Sequence, residues 1–398
     1  MRASNKMTID SSLLLAVVLL LTLGLLMVYS ASFHLPTVGM TDDPLHFLKR
    51  QTYWLVFGAV ALAVAALVPY HLWFRLATPL MGLGLLALIA VLLLGTITNN
   101  TRSWFGSGSI QPSEAAKLAF IIYIAAWLAS KGDKVRDLSL GLVPFSIILG
   151  LVTGLIMLQP DRGTAMVVVA IAVTMFFVSG AELLQLLVGT LIGGAALAVV
   201  LLRSELALER LLIWFRSDSD PLGAVFQVRA AVNAFASGGL TGRGLGAGVQ
   251  KFLPPFVHHS DTIFAVIGEE LGLLGCLVVI GLYLFIAYRG MMISFHAPDG
   301  FSQLVAFGIT AWFIIQAMVH IGGNTGMVPF TGITLPFISY GGSSLTMCMA
   351  AVGVLLSISR VTVERNVLVA AFALSRRNRR PRLSSASRVR RVQRRRSR

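Results

Sequence analysis

Asp261 stands where a polar stretch meets an apolar run, and the residues around it carry more chemistry than any others on the chain. Ahead of it lie Gly238-Gly-Leu-Thr-Gly-Arg-Gly-Leu-Gly-Ala-Gly-Val-Gln-Lys251 and then His259-Ser260-Asp261, and Gly268-Glu269-Glu270-Leu-Gly272 follows inside the run. An aspartate so placed can serve as a general base, particularly where partial burial raises its pKa. Capping the helix that begins there is the simpler alternative, worth about 1 kcal/mol. Glu269 and Glu270 are costly inside a span unless partnered, so an ion pair is the expected fate of at least one. Arg243 and Lys251 flank the glycines and are placed to meet a phosphate. The glycine run lacks the Gly-Lys-Ser/Thr ending of a phosphate loop and no strand precedes it, which argues against a nucleotide site. Its glycines instead allow close approach to a ligand or a neighbouring helix, with plain loop flexibility as the alternative. His258 and His259 have none of the further spacing that a metal site needs, so no metal ligands are assigned.

Three more constellations resemble this one in mixing charge with small residues. Arg102 and Trp104 precede Gln111-Pro112-Ser113-Glu114-Ala-Ala-Lys117. Pro112 and Ser113 suit a helix start, and Gln111, Glu114 and Lys117 then share one broad face. An intrahelical Glu114–Lys117 pair is one reading. A lysine two turns into a span facing a polar cavity is the other. Gln159-Pro-Asp161-Arg162-Gly-Thr164 is a polar break between two apolar runs, read either as a functional site or as a tight turn with Asp161 and Arg162 as a local pair. Ser339-Tyr-Gly-Gly-Ser343-Ser344 opens the last run, as helix packing or as a polar floor under a ligand.

The elements that carry these residues are membrane helices. Of 398 residues 56% are hydrophobic and 12% charged, with mean hydropathy +0.81, whereas a soluble domain carries about 25% charged residues. Ten apolar runs, each of about 18–24 residues, lie near 12–32, 51–69, 75–95, 112–130, 142–159, 163–180, 183–203, 263–288, 302–323 and 341–359. The fold class expected is therefore an all-α polytopic membrane protein of ten transmembrane helices, with a large extracytoplasmic loop, 204–262, between helices 7 and 8. The first run has Arg2 and Lys6 before it, and Ser30-Ala31-Ser32 mimics a cleavage site, but it is long enough to span and is read as an uncleaved helix. Short connections place nine Lys and Arg on the side of the N-terminus and four on the other, so both termini are expected in the cytoplasm, below residue 12 and beyond 360. Within 204–262, Pro221 is expected to open a short helix ending near Ser237.

Net charge is +15, but twelve arginines fall between Arg376 and Arg398; without them 20 basic residues face 17 acids. The tail, 361–398, reads as a disordered polybasic arm with weak attraction to anionic membrane lipids, about 1 kcal/mol per basic residue near the surface. No fold supports nucleic-acid binding. Cys276 and Cys348 lie in apolar runs without ligand spacing and read as packing residues.

Taken together, Trp104 with Gln111-Pro-Ser-Glu-x-x-Lys117, Gln159-Pro-Asp-x-Gly-Thr164, the glycine run ending Gln250-Lys251, His259-x-Asp261 leading to Gly268-Glu-Glu-Leu-Gly272, and Ser339-Tyr-Gly-Gly-Ser-Ser344 resemble the SEDS family (shape, elongation, division and sporulation). The resemblance covers about 12–360, and the Ile333-to-Tyr340 context resembles the FtsW branch more than the RodA branch. It implies a peptidoglycan glycosyltransferase that polymerises lipid II on the outer face of the bacterial cytoplasmic membrane. It further implies a class B penicillin-binding transpeptidase as partner, other division proteins beside it, and work at the septum. The family's catalytic aspartate falls on Asp261. Arg102, Glu114, Lys117 and Asp161 fall along the substrate cavity, with Ser339 and Ser343 near the same end. Trp104, Gln111, His259, Glu269 and Glu270 are expected in support. No dedicated cofactor is implied, although a divalent cation such as magnesium is compatible with a pyrophosphate leaving group. Two rival functions use the same features: a flippase would share the cationic cavity, and an elongation or sporulation polymerase would share every motif. The chain departs from the family at Arg162, at Ala230-Ala231, at Thr262 and in the segment before His259, which lacks the usual acid.

Overall fold

The computed structural model describes residues 9–38, 42–98, 101–105, 110–185, 187–189, 191, 193–194, 224–252 and 260–378; at 37–38, 96–98, 101–102, 224–226 and 361–378 it describes the main chain alone. The helices are α1 (Ser11–Ser32), α2 (His46–Leu67), α3 (Tyr70–Leu94), α4 (Pro112–Lys131), α5 (Val143–Leu158) and α6 (Arg162–Val178). They continue with α7 (Ala224–Gly238), α8 (Ile263–Phe295), α9 (Gly300–Asn324) and α10 (Gly342–Asn378). A two-stranded antiparallel hairpin, β1 (Thr96–Thr98) and β2 (Thr101–Trp104), joins α3 to α4.

Among the described residues eight helical segments are long and apolar enough to cross a membrane. They coincide with eight of the ten expected runs. α6, with 17 residues, falls just short of that length, and the expected run 183–203 lies mostly outside the described residues, as do 204–223 of the expected outer loop. α2 and α3 begin at 46 and 70 rather than 51 and 75, because helix continues through polar residues such as Lys49, Arg50 and His71 that hydropathy excludes. α7 ends at Gly238, one residue from the expected stop. Where a disordered tail is expected from 361, the backbone stays helical to Asn378; the intervening Leu, Ala, Glu and Arg residues favour helix.

Local signals set the helix ends. Asp10 caps α1 by accepting from the Leu13 amide at 3.0 Å, and its other oxygen takes the Arg289 guanidinium of α8 at 2.7 Å. α9 opens on a capping box between Asp299 and Ser302. α4, α9 and α10 are the most buried of the spanning helices, while α2, α3, α5 and α8 turn most of their apolar surface outward. In water such exposure would drive association; in a bilayer it is the lipid contact.

The glycine run serves this packing directly. α8 is broken at Gly272, which has φ 67° and ψ −166°. The Glu269 and Glu270 carbonyls accept from the Arg243 and Gly244 amides at 3.0 Å each. On the far side of the break the Leu273 and Leu274 amides donate to the Gly239 and Leu240 carbonyls at 2.9 and 3.1 Å. The loop thus supplies the partners that a continuous helix would have supplied itself. Of the two readings of the run, close approach to a helix is the one realised. A Cβ on Gly272 would lie 2.3 Å from the Gly242 nitrogen, and one on Gly242, itself at φ 78°, would lie 2.1 Å from the Glu270 carbonyl oxygen. Gly272→Ala is therefore expected to cost about 2 kcal/mol or more, visible as a lower thermal midpoint in detergent.

Candidate active site

α1, α3, α5 and α9 end, and α2, α4, α6, α8 and α10 begin, at one end of the bundle. All four sequence constellations therefore gather at that end, and they form three polar clusters.

The deepest is built on α4 and α9. Lys117 Nζ donates to Glu114 Oε1 and to Gln316 Oε1, both at 2.9 Å, and sits 5.0 Å from the Trp312 ring centroid. Lys117 is 2% exposed and Glu114 4%, so this charge pair is held in a low-dielectric site. The further bond to Gln316 helps satisfy Lys117, whereas Glu114 Oε2 is buried with no hydrogen-bond partner among the described residues, so the pair carries an uncompensated desolvation cost. Gln316 continues the network, donating to the Thr334 carbonyl at 2.9 Å, and Thr334 meets Ser344 at 2.9 Å through their hydroxyls. The intrahelical pairing of Glu114 and Lys117 is realised, and Gln316 of α9 extends it across to the neighbouring helix.

The second cluster joins α4 to the start of α6. Gln111 holds the N-cap position of α4 without capping it, because its side-chain amide donates instead to Asp161 Oδ2 at 2.8 Å. Ser113 adds a 3.2 Å hydrogen bond to the same oxygen, and Asp161 caps α6 through the Thr164 amide at 3.2 Å. Ser343, at the head of α10, accepts from the Gln111 amide at 3.2 Å. Buried Ser103, beside Trp104 on β2, donates to the Gln159 carbonyl at 3.2 Å and ties the hairpin to this turn.

The third cluster holds Glu269 and Glu270 against the glycine loop. Lys251 Nζ contacts Glu270 Oε1 at 2.6 Å, with both side chains wholly buried. Ser30 of α1 donates to Glu270 at 2.6 Å, and the Gly246 amide does so at 3.0 Å. Glu269 accepts from the Val249 amide at 2.8 Å, from Gln250 at 3.2 Å and from Ser237 at 3.3 Å. The ion pair expected of one of these glutamates is thus Glu270–Lys251. Ser30, which in sequence mimics part of a cleavage site, is one of its ligands.

Asp261 lies beside these clusters, partly exposed, in the turn before α8. The N-cap of α8 is Thr262, which makes no side-chain cap bond, so Asp261 is not spent on starting the helix. Its carbonyl accepts from Asn324 Nδ2 at 3.1 Å, and the preceding Ser260 carbonyl accepts from Ser339 at 2.8 Å. Its Oδ2 lies 3.6 Å from where a Cβ of Gly332 would stand. Burial pushes the nearby Tyr340 phenol above its ordinary pKa despite Arg50, so it stays neutral. Arg243 is exposed, with Nε 3.3 Å from the Ser237 carbonyl. The Arg102 side chain and His259 lie outside the described residues.

One feature of the site is absent from the sequence constellations. Trp312, Gln316, His320 and Asn324 recur every four residues along one face of α9, each no more than 3% exposed. The first three fall in the apolar run 302–323 and Asn324 just beyond it, so the four-residue period of a polar face is legible in the sequence.

The chain is similar over most of its length to known proteins. The profile of the FtsW/RodA/SpoVE family, described as cell cycle protein, matches residues 11–364. A probable peptidoglycan glycosyltransferase FtsW of Trichlorobacter lovleyi is 37% identical over 354 residues, 88% of this chain and 93% of the relative. Stage V sporulation protein E of Bacillus subtilis is 39% identical over 90% of this chain and 98% of the relative. A chain from a peptidoglycan synthase complex that coordinates polymerization and crosslinking superposes with a TM-score of 0.73 at 29% identity, covering 89% of this chain and 98% of that one. The rod shape determining protein RodA of Thermus thermophilus superposes at 0.67, also at 29% identity, covering 90% and 98%.

Proposed function

The chain belongs to the FtsW/RodA/SpoVE family of cell cycle proteins, and from that membership we infer that it is a peptidoglycan glycosyltransferase. Its proposed reaction polymerises lipid II into glycan strands at the outer face of the bacterial cytoplasmic membrane, in septal wall synthesis. Ten crossings, cytoplasmic termini and an outer 204–262 segment belong to this proposal. Its support is the bias of Lys and Arg toward the connections on the N-terminal side, which makes the clustered end of the bundle the outer one.

The observation that carries the chemistry is a partly exposed aspartate, fixed through its backbone by Asn324 and not used as a cap. Asp261 takes the proton of the acceptor sugar's 4-hydroxyl as that oxygen attacks the donor's anomeric carbon. The bond to undecaprenyl pyrophosphate breaks, with inversion, and the leaving group carries away the electron pair. Positive charge must meet it. Arg243 is an exposed cation on the glycine loop, two turns along α8 from Asp261, and Arg102 comes from β2. Lys117 and Lys251 are buried and paired, so they act on the leaving group only where their carboxylate partners yield. No dedicated cofactor enters the proposal, and a magnesium ion would arrive with the pyrophosphate. The partners proposed are a class B penicillin-binding transpeptidase, supported by the likeness to a chain of a polymerising and crosslinking complex, other division proteins, and anionic lipids at the tail.

The test is lipid II polymerisation by the purified protein with and without its transpeptidase. Glycan chains are expected. Their absence in every condition, with lipid II still crossing vesicle membranes, would replace this reading with a flippase. Septal use is tested by restoring growth after depletion of a division-specific relative; rescue of an elongation-specific depletion alone would reassign the role. At the deeper cluster, Lys117→Met is expected to lower the polymerisation rate by about 100-fold, since it strands Glu114 in the interior and removes a cation. Retention of more than about half the rate would place Lys117 outside the reaction.

A further inference from the structure

The polar face of α9 does more than line the interior. Asn324 Nδ2 donates to two carbonyls, that of His320 at 2.9 Å and that of Asp261 at 3.1 Å. One turn earlier, His320 Nδ1 lies 2.7 Å from the Ile333 carbonyl. A carbonyl can only accept, so Nδ1 carries the proton and donates. The residue before Ile333 is Gly332, whose Cα side faces Asp261 Oδ2. Asn324 thus spends one donor on the main chain of Asp261, and His320 spends its donor on the segment after Gly332 that lies against the Asp261 carboxylate. Their acceptor atoms, His320 Nε2 and Asn324 Oδ1, are buried and have no hydrogen-bond partner among the described residues. The donors are what fix these side chains in place. Gln316, one turn deeper, does the same for Thr334 while touching Lys117.

We propose that Asn324 and His320 are positioning residues for Asp261: Asn324 fixes its main chain and His320 fixes the 332–333 wall against its carboxylate. This rests on the polymerase reading above. A carboxylate that must lie within hydrogen-bond reach of one hydroxyl gains its rate from geometry, and a displacement of about 1 Å costs as much as 100-fold. α9 is a rigid, buried helix, better suited to that task than the loop carrying Asp261. The effect belongs on turnover and not on binding of lipid II.

The experiment uses the purified full chain with its transpeptidase and lipid II, and reads kcat and KM separately. Asn324→Ala and His320→Ala are expected to lower kcat by about tenfold or more with KM within about threefold. Two polar variants separate positioning from other roles. The side-chain amide of His320→Asn can take the place of Nδ1–H, whereas that of His320→Gln reaches the place of Nε2. Restoration of most of the lost kcat by His320→Asn and not by His320→Gln is the expected result, and it does not depend on the alanine variants folding. The reverse order, or full kcat in both alanine variants, overturns the proposal. Asp261→Asn run alongside separates the two failures. Its inactivity beside fully active alanine variants removes the positioning role alone, its full activity removes the general-base role of Asp261 on which positioning depends, and absence of glycan chains from wild type as well removes the polymerase reading beneath both.

Discussion

Asp261→Asn should abolish glycan chain formation while leaving the protein folded and able to bind lipid II. The substitution keeps the shape of the side chain and removes its capacity to accept a proton. General-base catalysis contributes about 10²–10⁴-fold, so the rate should drop by at least that factor. Nothing in the fold depends on the carboxylate as a helix cap, because the cap position belongs to Thr262. The main-chain bond from Asn324 to the Asp261 carbonyl survives the change. Thermal stability should therefore match wild type within about 0.5 kcal/mol, and the measurement pairs that midpoint with a chain-length assay. A fully active Asp261→Asn protein would sink the general-base role.

The second large effect falls on stability. Lys251 and Glu270 form an ion pair with both side chains wholly buried, and each takes further bonds from α1 and the glycine loop. Removing one partner leaves an uncompensated buried charge, at a cost of about 3–5 kcal/mol. Lys251→Met and Glu270→Leu are each expected to unfold the end of the bundle that carries the polar clusters at lower temperature. The double variant Lys251→Met/Glu270→Leu should recover part of that loss, since apolar replacements of similar volume do not strand a charge. Three thermal midpoints in detergent decide it. If the double variant is as unstable as both single losses added together, the pair is not the source. Retained polymerisation by a folded double variant would further show that Lys251 is not needed at the leaving group.

Much of this was legible in the chain itself. Hydropathy placed eight of the spans, and α7 ended within one residue of its expected stop. The motifs singled out polar residues that the described structure gathers at one end of the bundle, because a charged or glycine-rich stretch beside an apolar run has few reasons to exist other than a site or a break. Helix starts were less legible, since helix runs on into the polar surface where hydropathy stops. The polar face of α9 was present as a four-residue period but was masked by the apolar residues on its other sides.

What only the tertiary structure decided is partnership. The sequence by itself determined a polytopic helical membrane protein, its family, and which ionisable residues lie near span ends. It could not say that Glu270 would find Lys251 and Ser30, that Gln111 would leave its own helix end uncapped to reach Asp161, or that Asn324 would hold the Asp261 backbone. Each of those contacts joins two different elements of the fold. Local pattern reflects the period and polarity of a single element, whereas buried charges are satisfied by whichever donors the packing of several helices brings within about 3 Å.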